Sequence, residues 1–91
     1  MVAVIIAEVC GHQYDLYERI ISKERSAYVA QRRWLCSYLI TYRLGFSLHV
    51  VGRLLNRDHS TIRHGLKQVE RSYYLYKQVT MLFKKLAVMG I

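Results

Sequence analysis

Ninety-one residues, 53% of them hydrophobic and 12% aromatic, supply one small core, which points to a single domain spanning 1–91 and excludes wholesale disorder. Fourteen Lys and Arg against six Asp and Glu leave a formal charge of +8, the balance of a chain whose partner is a polyanion: nucleic acid, or an anionic membrane surface. Two distant cysteines, four unclustered histidines and scattered acids give no zinc site, no paired-carboxylate or nucleophile–base constellation and no cofactor, so an enzyme is the least expected class.

The opening run Val2–Ala7 is apolar but short, lacks a basic lead and is followed at once by Glu8, so it predicts a buried first helix over about Val2–Val9 rather than a signal peptide or membrane span. Gly11, His12 and Gln13 predict a turn, with Gly11 placed to end the helix. Asp15 is the expected cap of a second helix to about Ile21, packed through Leu16, Ile20 and Ile21. Lys23, Glu24, Arg25 and Ser26 form a charged loop. From Ala27 to Tyr42 the recurrence of Leu35, Tyr38, Leu39 and Tyr42 predicts a long helix with one buried stripe, leaving Arg32, Arg33 and Arg43 off it or at its edge. Cys36 reads as a small core residue, and Trp34 and the tyrosines at 38, 42, 73, 74 and 76 as core or core-edge packing.

Gly45 breaks that helix and Ser47 caps the next, a short segment over about Leu48–Leu55 carrying Leu48, Val51, Leu54 and Leu55. Asn56 ends it, Arg57 leads on, and Asp58 caps a longer helix from His59 to about Tyr74 whose inward stripe is Ile62, Leu66 and Val69. A last helix, about Tyr76–Val88, turns Val79, Leu82, Phe83 and Leu86 inward and Lys84 and Lys85 outward.

A short helix, a tight turn and a second helix over Ser47–Glu70 make a helix-turn-helix plan in an all-α domain. Gly52 stands where a small residue lets the second helix cross closely. His59, Ser60, Arg63, His64 and Lys67 then form a reading head at the start of the second helix. Unpaired N–H groups there suit a phosphate, the hydroxyls of Ser60 and Thr61 suit phosphates or base edges, and Arg63 suits guanine. The basic residues Lys23, Arg25, Arg32, Arg33, Arg43, Arg53, Arg57, Arg63 and Lys67 are opposed between 23 and 67 only by Glu24 and Asp58. They sit on several elements rather than one amphipathic face, which favours duplex DNA over a membrane surface.

The run from Phe46 to Gly65, FSLHVVGRLLNRDHSTIRHG, closely resembles the C-terminal DNA-binding domain of the bacterial replication initiator DnaA. The family signature is Ser-Leu-x-x-Ile-Gly, then Arg-Asp-His-Thr/Ser-Thr-Val, and Arg57, Asp58, His59, Ser60, Thr61 and Ile62 match the second part almost residue for residue. Weaker likeness extends over nearly the whole chain: Ala7–Val9 with Asp15 and Leu16 resembles the opening helix and turn, residues 23–26 the basic loop, and Val29–Arg33 the start of the long helix. The resemblance implies an initiator domain-IV-like, Trp-repressor-like fold. It also implies an arginine in the minor groove, at Arg25, and the Asp58–Thr61 segment in the major groove.

Several positions depart from that pattern. Gln31, Arg32 and Arg33 stand where Arg-Pro-Arg is usual, which predicts a displaced phosphate contact. His49 replaces the usual proline, Thr41 falls where a phosphate-binding lysine is common, and Arg53 and Arg63 add charge. No phosphate-loop motif is present, so neither nucleotide binding nor ATP hydrolysis is expected, and the chain reads as a complete small protein or an excised domain.

The expectation is a sequence-specific binder of DnaA-box-like duplex DNA, a stand-alone transcriptional regulator or a modulator of replication initiation, cytoplasmic and nucleoid-associated, monomeric or weakly dimeric. Arg25, Arg32, Arg33, Arg57 and Lys67 would contact phosphate or groove, and Asp58, His59, Ser60, Thr61, Arg63 and His64 would form or support the base-reading surface. The alternative is a protein–protein interaction module that keeps the fold as a scaffold and docks through Tyr73–Tyr76 and the last helix. Steep salt dependence belongs to the first reading only.

Overall fold

The apolar opening run forms α1 (Val2–Val9), which buries Ile5, Ile6 and Val9. Gly11 and His12 follow with φ of 61° and 62°, and the His12 N–H returns to the Ala7 carbonyl at 2.9 Å, a left-handed reversal that ends the helix. The computed structural model describes the backbone of residues 1–91 and all side chains but that of Tyr14. Because the reversal finishes at His12, α2 starts two residues earlier than expected, spanning Tyr14–Ile21 with Gln13 rather than Asp15 at its N-cap. Asp15 does not cap it; it lies in the first turn, where its charge still suits the helix dipole.

α3 (Ala27–Leu44) is the hub, packed against all the other helices. A single stripe is too narrow a description of such a helix. Val29, Leu35, Cys36, Leu39 and Ile40 are fully buried around much of its circumference, while Tyr42, expected inside, lies 55% exposed. Gly45 closes α3 in the left-handed conformation at φ 74°. Both cysteines are free and buried, and burial pushes both thiols up, Cys36 the further, so neither is a ready thiolate.

Ser47 caps α4 (Leu48–Leu55) by accepting from the Val50 N–H at 3.3 Å. Asp58 caps α5 (His59–Arg71), which buries Ile62, Gly65, Leu66 and Val69. The expected end of α5 near Tyr74 is corrected: Ser72 adopts an extended backbone and is at once the last cap of α5 and the first of α6 (Tyr73–Val88), accepting from the Leu75 N–H at 3.2 Å. The one-residue joint puts Tyr73 and Tyr74 in the first turn of α6 and turns Leu75 inward instead. Tyr73, Tyr74 and Tyr76 are therefore half or more exposed, not core, whereas Trp34 and Tyr38 do edge the core.

In α6, Val79 and Leu86 are buried and Leu82 and Phe83 pack partly against the core. Lys85 reaches from it to Glu8 on α1 at 2.7 Å, which holds the Glu8 carboxyl below the usual range and ties the last helix to the first. The described residues thus form six helices and no strand, an all-α fold, and no helix among them is long and apolar enough to cross a membrane.

Candidate nucleic-acid interface

The α4–α5 crossing is set by backbone contact. A Cβ on Gly52 would lie 2.4 Å from the Arg57 carbonyl oxygen, so only glycine admits the turn this close. The Arg57 N–H seals it by donating to the Gly52 carbonyl at 2.7 Å, and Asn56 between them takes the left-handed conformation. Gly65 plays a similar part towards α3, since a Cβ there would meet Trp34 Cδ1 at 2.6 Å.

The start of α5 is organised by one carboxylate. Asp58 Oδ1 accepts from the Thr61 N–H at 2.9 Å and from the Ser60 hydroxyl at 2.7 Å. These bonds, the Thr61 N–H first, hold the Asp58 carboxyl down at about 2. Ser60 thus spends its proton on the cap and keeps only acceptor lone pairs for a ligand. Beyond the cap, His59, Arg63 and Lys67 are exposed at i, i+4 and i+8, with His64 exposed beside them, its ring edge-on to Trp34.

The 22–26 loop is built just as firmly. Ser22 Oγ donates to the Arg19 carbonyl at 2.6 Å and accepts from the Glu24 N–H at 3.1 Å. The Glu24 carboxylate takes a forked pair from Arg19 at 3.0 and 2.7 Å and a bond from Ser26 Oγ, which lower it to about 2. Glu24, the loop's one acid, is thereby occupied, while Lys23 and Arg25 extend into solvent.

Three side chains bind this loop and the end of α2 that leads into it to the rest of the site. Arg33 donates to the Ile20 carbonyl at 2.7 Å and the Glu24 carbonyl at 3.1 Å, Asn56 Nδ2 to the Ile21 carbonyl at 3.1 Å, and Arg57 to the Ser22 carbonyl. Between loop and α5 lies an open cleft of 690 Å³ bordered by Lys23, Arg25, Arg33, Arg57, Thr61 and His64.

The structure therefore brings Arg25, Arg57, Asp58, Ser60, Thr61, His59, Arg63, His64 and Lys67 onto or beside one surface, but not all as free ligands. Arg33, expected to offer its guanidinium to phosphate, is only 6% exposed and is turned onto the loop's backbone. Arg32, one residue and about 100° earlier on the helix, stacks over Tyr28 and donates to Gln78 of α6 at 2.8 Å, away from the cleft. Arg57 serves the backbone too. Sequence reading missed Asn56 as more than a helix end; its left-handed turn position was visible, but its bond to a residue 35 positions away was not.

An exposed basic helix crossing a capped partner at a glycine turn defines the class: a helix-turn-helix DNA-binding domain, all-α. The family model described as bacterial dnaA protein helix-turn-helix matches residues 2–69. The chain belongs to that family. It is 37% identical over 68 residues to the chromosomal replication initiator protein DnaA of Lachnoclostridium phytofermentans, covering 74% of this chain and 15% of that one. To the DnaA of Thermomicrobium roseum it is 33% identical over 67 residues, 72% of this chain and 14% of the relative. The chain thus matches only about one seventh of each relative's length.

Proposed function

We propose that this chain recognises a DnaA-box-like sequence in duplex DNA, with α5 in the major groove and the 22–26 loop in the adjacent minor groove, and so acts as a stand-alone regulator of transcription or a modulator of replication initiation. The observation that carries this reading is the placement of exposed His59, Arg63 and Lys67 on α5 beside exposed Lys23 and Arg25, with loop and turn bonded together through Asn56 and Arg57. His59 and Arg63 supply base-edge donors, Ser60 an acceptor, and Arg25, Lys23 and Lys67 the positive charge facing phosphates or the minor groove. Asp58 caps, and Arg33 and Arg57 position the loop rather than touch the duplex. The protein would work at the nucleoid, in the cytoplasm, as a monomer or weak dimer.

The test is fluorescence anisotropy with a DnaA-box duplex beside a scrambled one at near-physiological salt. A preference of roughly a thousandfold supports the reading. Equal binding to both overturns box specificity while keeping DNA as partner, and absence of binding overturns it altogether. Alanine at His59 and Ser60 should flatten the preference; an unchanged preference would move the reading head elsewhere. The exposed tyrosines of α6 favour a second reading, a protein-docking face, and binding through it would resist salt that disrupts DNA contacts.

A further inference from the structure

The helix-turn-helix brings together two side chains that the cap and the core do not use. His49, in the first turn of α4, and His59, the first residue of α5, stack with ring centroids 4.4 Å apart and planes 36° from parallel. Both residues are exposed, so the contact adds little to the core. Its effect is on freedom. A histidine at the first position of a helix in open solvent samples several rotamers, and a ring packed against one side of it removes some of them.

We propose, resting on the reading that the start of α5 faces base edges, that His49 is a specificity-determining positioning residue: it holds the His59 ring in the orientation that meets the base pair. The turn makes this possible. Because Gly52 and the Arg57 carbonyl are in contact, the N-terminal turns of two successive helices open side by side on one surface. His49 therefore reaches the His59 ring from the neighbouring helix, α4. The two rings are one recognition unit, and the orientation that one loses by substitution of the other is read by DNA as altered discrimination at the base pairs under His59, not as a uniform loss of affinity.

The experiment is a double-mutant cycle on the full chain. His49→Ala, His59→Ala and the double variant are titrated by anisotropy against the preferred duplex, every single-base-pair change of it, and a scrambled duplex. His49→Pro serves as a second variant, since proline is accepted in a first helical turn; thermal melts confirm that each variant folds. Expected is a His49→Ala profile altered at the same base pairs as His59→Ala, with a coupling of roughly threefold or more, so that the double variant resembles His59→Ala alone. The His59 ring resonances in NMR spectra of the free protein should also shift and broaden when His49 is replaced.

Uniform weakening on all duplexes by His49→Ala would overturn the proposal in favour of a plain phosphate contact. So would effects of the two substitutions that simply multiply. If His59→Ala is silent, or the wild-type chain prefers no duplex, the reading beneath the proposal fails with it. That result is distinct from one in which His59 matters and His49 does not.

Discussion

Gly52 and Asp58 show how much of the site depends on single atoms. At Gly52 the space for a methyl group is already filled by the Arg57 carbonyl oxygen, 2.4 Å from where a Cβ would sit, and backbone cannot swing aside as a side chain can. Gly52→Ala should destabilise the fold by about 1–3 kcal/mol, the usual cost of overpacking, read from the urea midpoint, and should weaken duplex binding by more than that loss explains. An unchanged midpoint would mean that the crossing is looser than its geometry. Asp58 and Glu24 both titrate lower in the folded chain than unfolded, each at about 2. Their contribution is therefore complete above the ordinary carboxylate range and is lost as pH falls through about 2. Thermal midpoints measured from pH 5 to pH 2 should fall, and Asp58→Asn should show a smaller fall over that window, at a lower starting value.

Among the elements, the α4–turn–α5 unit was the most legible in the sequence. Its caps Ser47 and Asp58, its glycine and its inward stripe Ile62, Leu66 and Val69 are local signals, and all act in the structure as their residue types dictate. The joint at Ser72 was not legible, because serine is tolerated inside a helix and the apolar spacing runs on past it; only the packing of Leu75 decides where the chain bends. The partition of the arginines was hidden for a related reason. Arg32 and Arg33 look equivalent in a sequence, and only the tertiary positions of the loop and of Gln78 assign them to different jobs.

The loop's order rests on those long-range bonds. Arg33→Met should leave the Ile20 and Glu24 carbonyls without their donor, cost about 1–3 kcal/mol, and raise hydrogen exchange selectively across residues 22–26. Exchange that rises evenly over all helices would instead assign Arg33 to global stability.

For the whole molecule, a charge of +8 spread over several elements makes salt the natural probe. Replacing Lys67 with Ala should weaken binding to specific and scrambled duplexes alike and reduce the slope of log K against log salt by about 0.9, one phosphate's share. Arg32→Ala, by contrast, should leave the slope unchanged, because its guanidinium faces α6. A slope that responds equally to both would return Arg32 to the DNA surface.

The bonds from Asn56 and Arg57 to the Ile21 and Ser22 carbonyls have a metrical consequence. In the proposed docking they run from the turn before one contact element to the base of the other and set the gap between the two, like the opening of a caliper. A caliper measures rather than adapts. Base-pair insertions or deletions that lengthen or shorten the duplex between the two contacts should then be rejected even with every contacted base preserved, and cutting the Arg57 bond should make the molecule tolerant of spacing before it makes it blind to sequence.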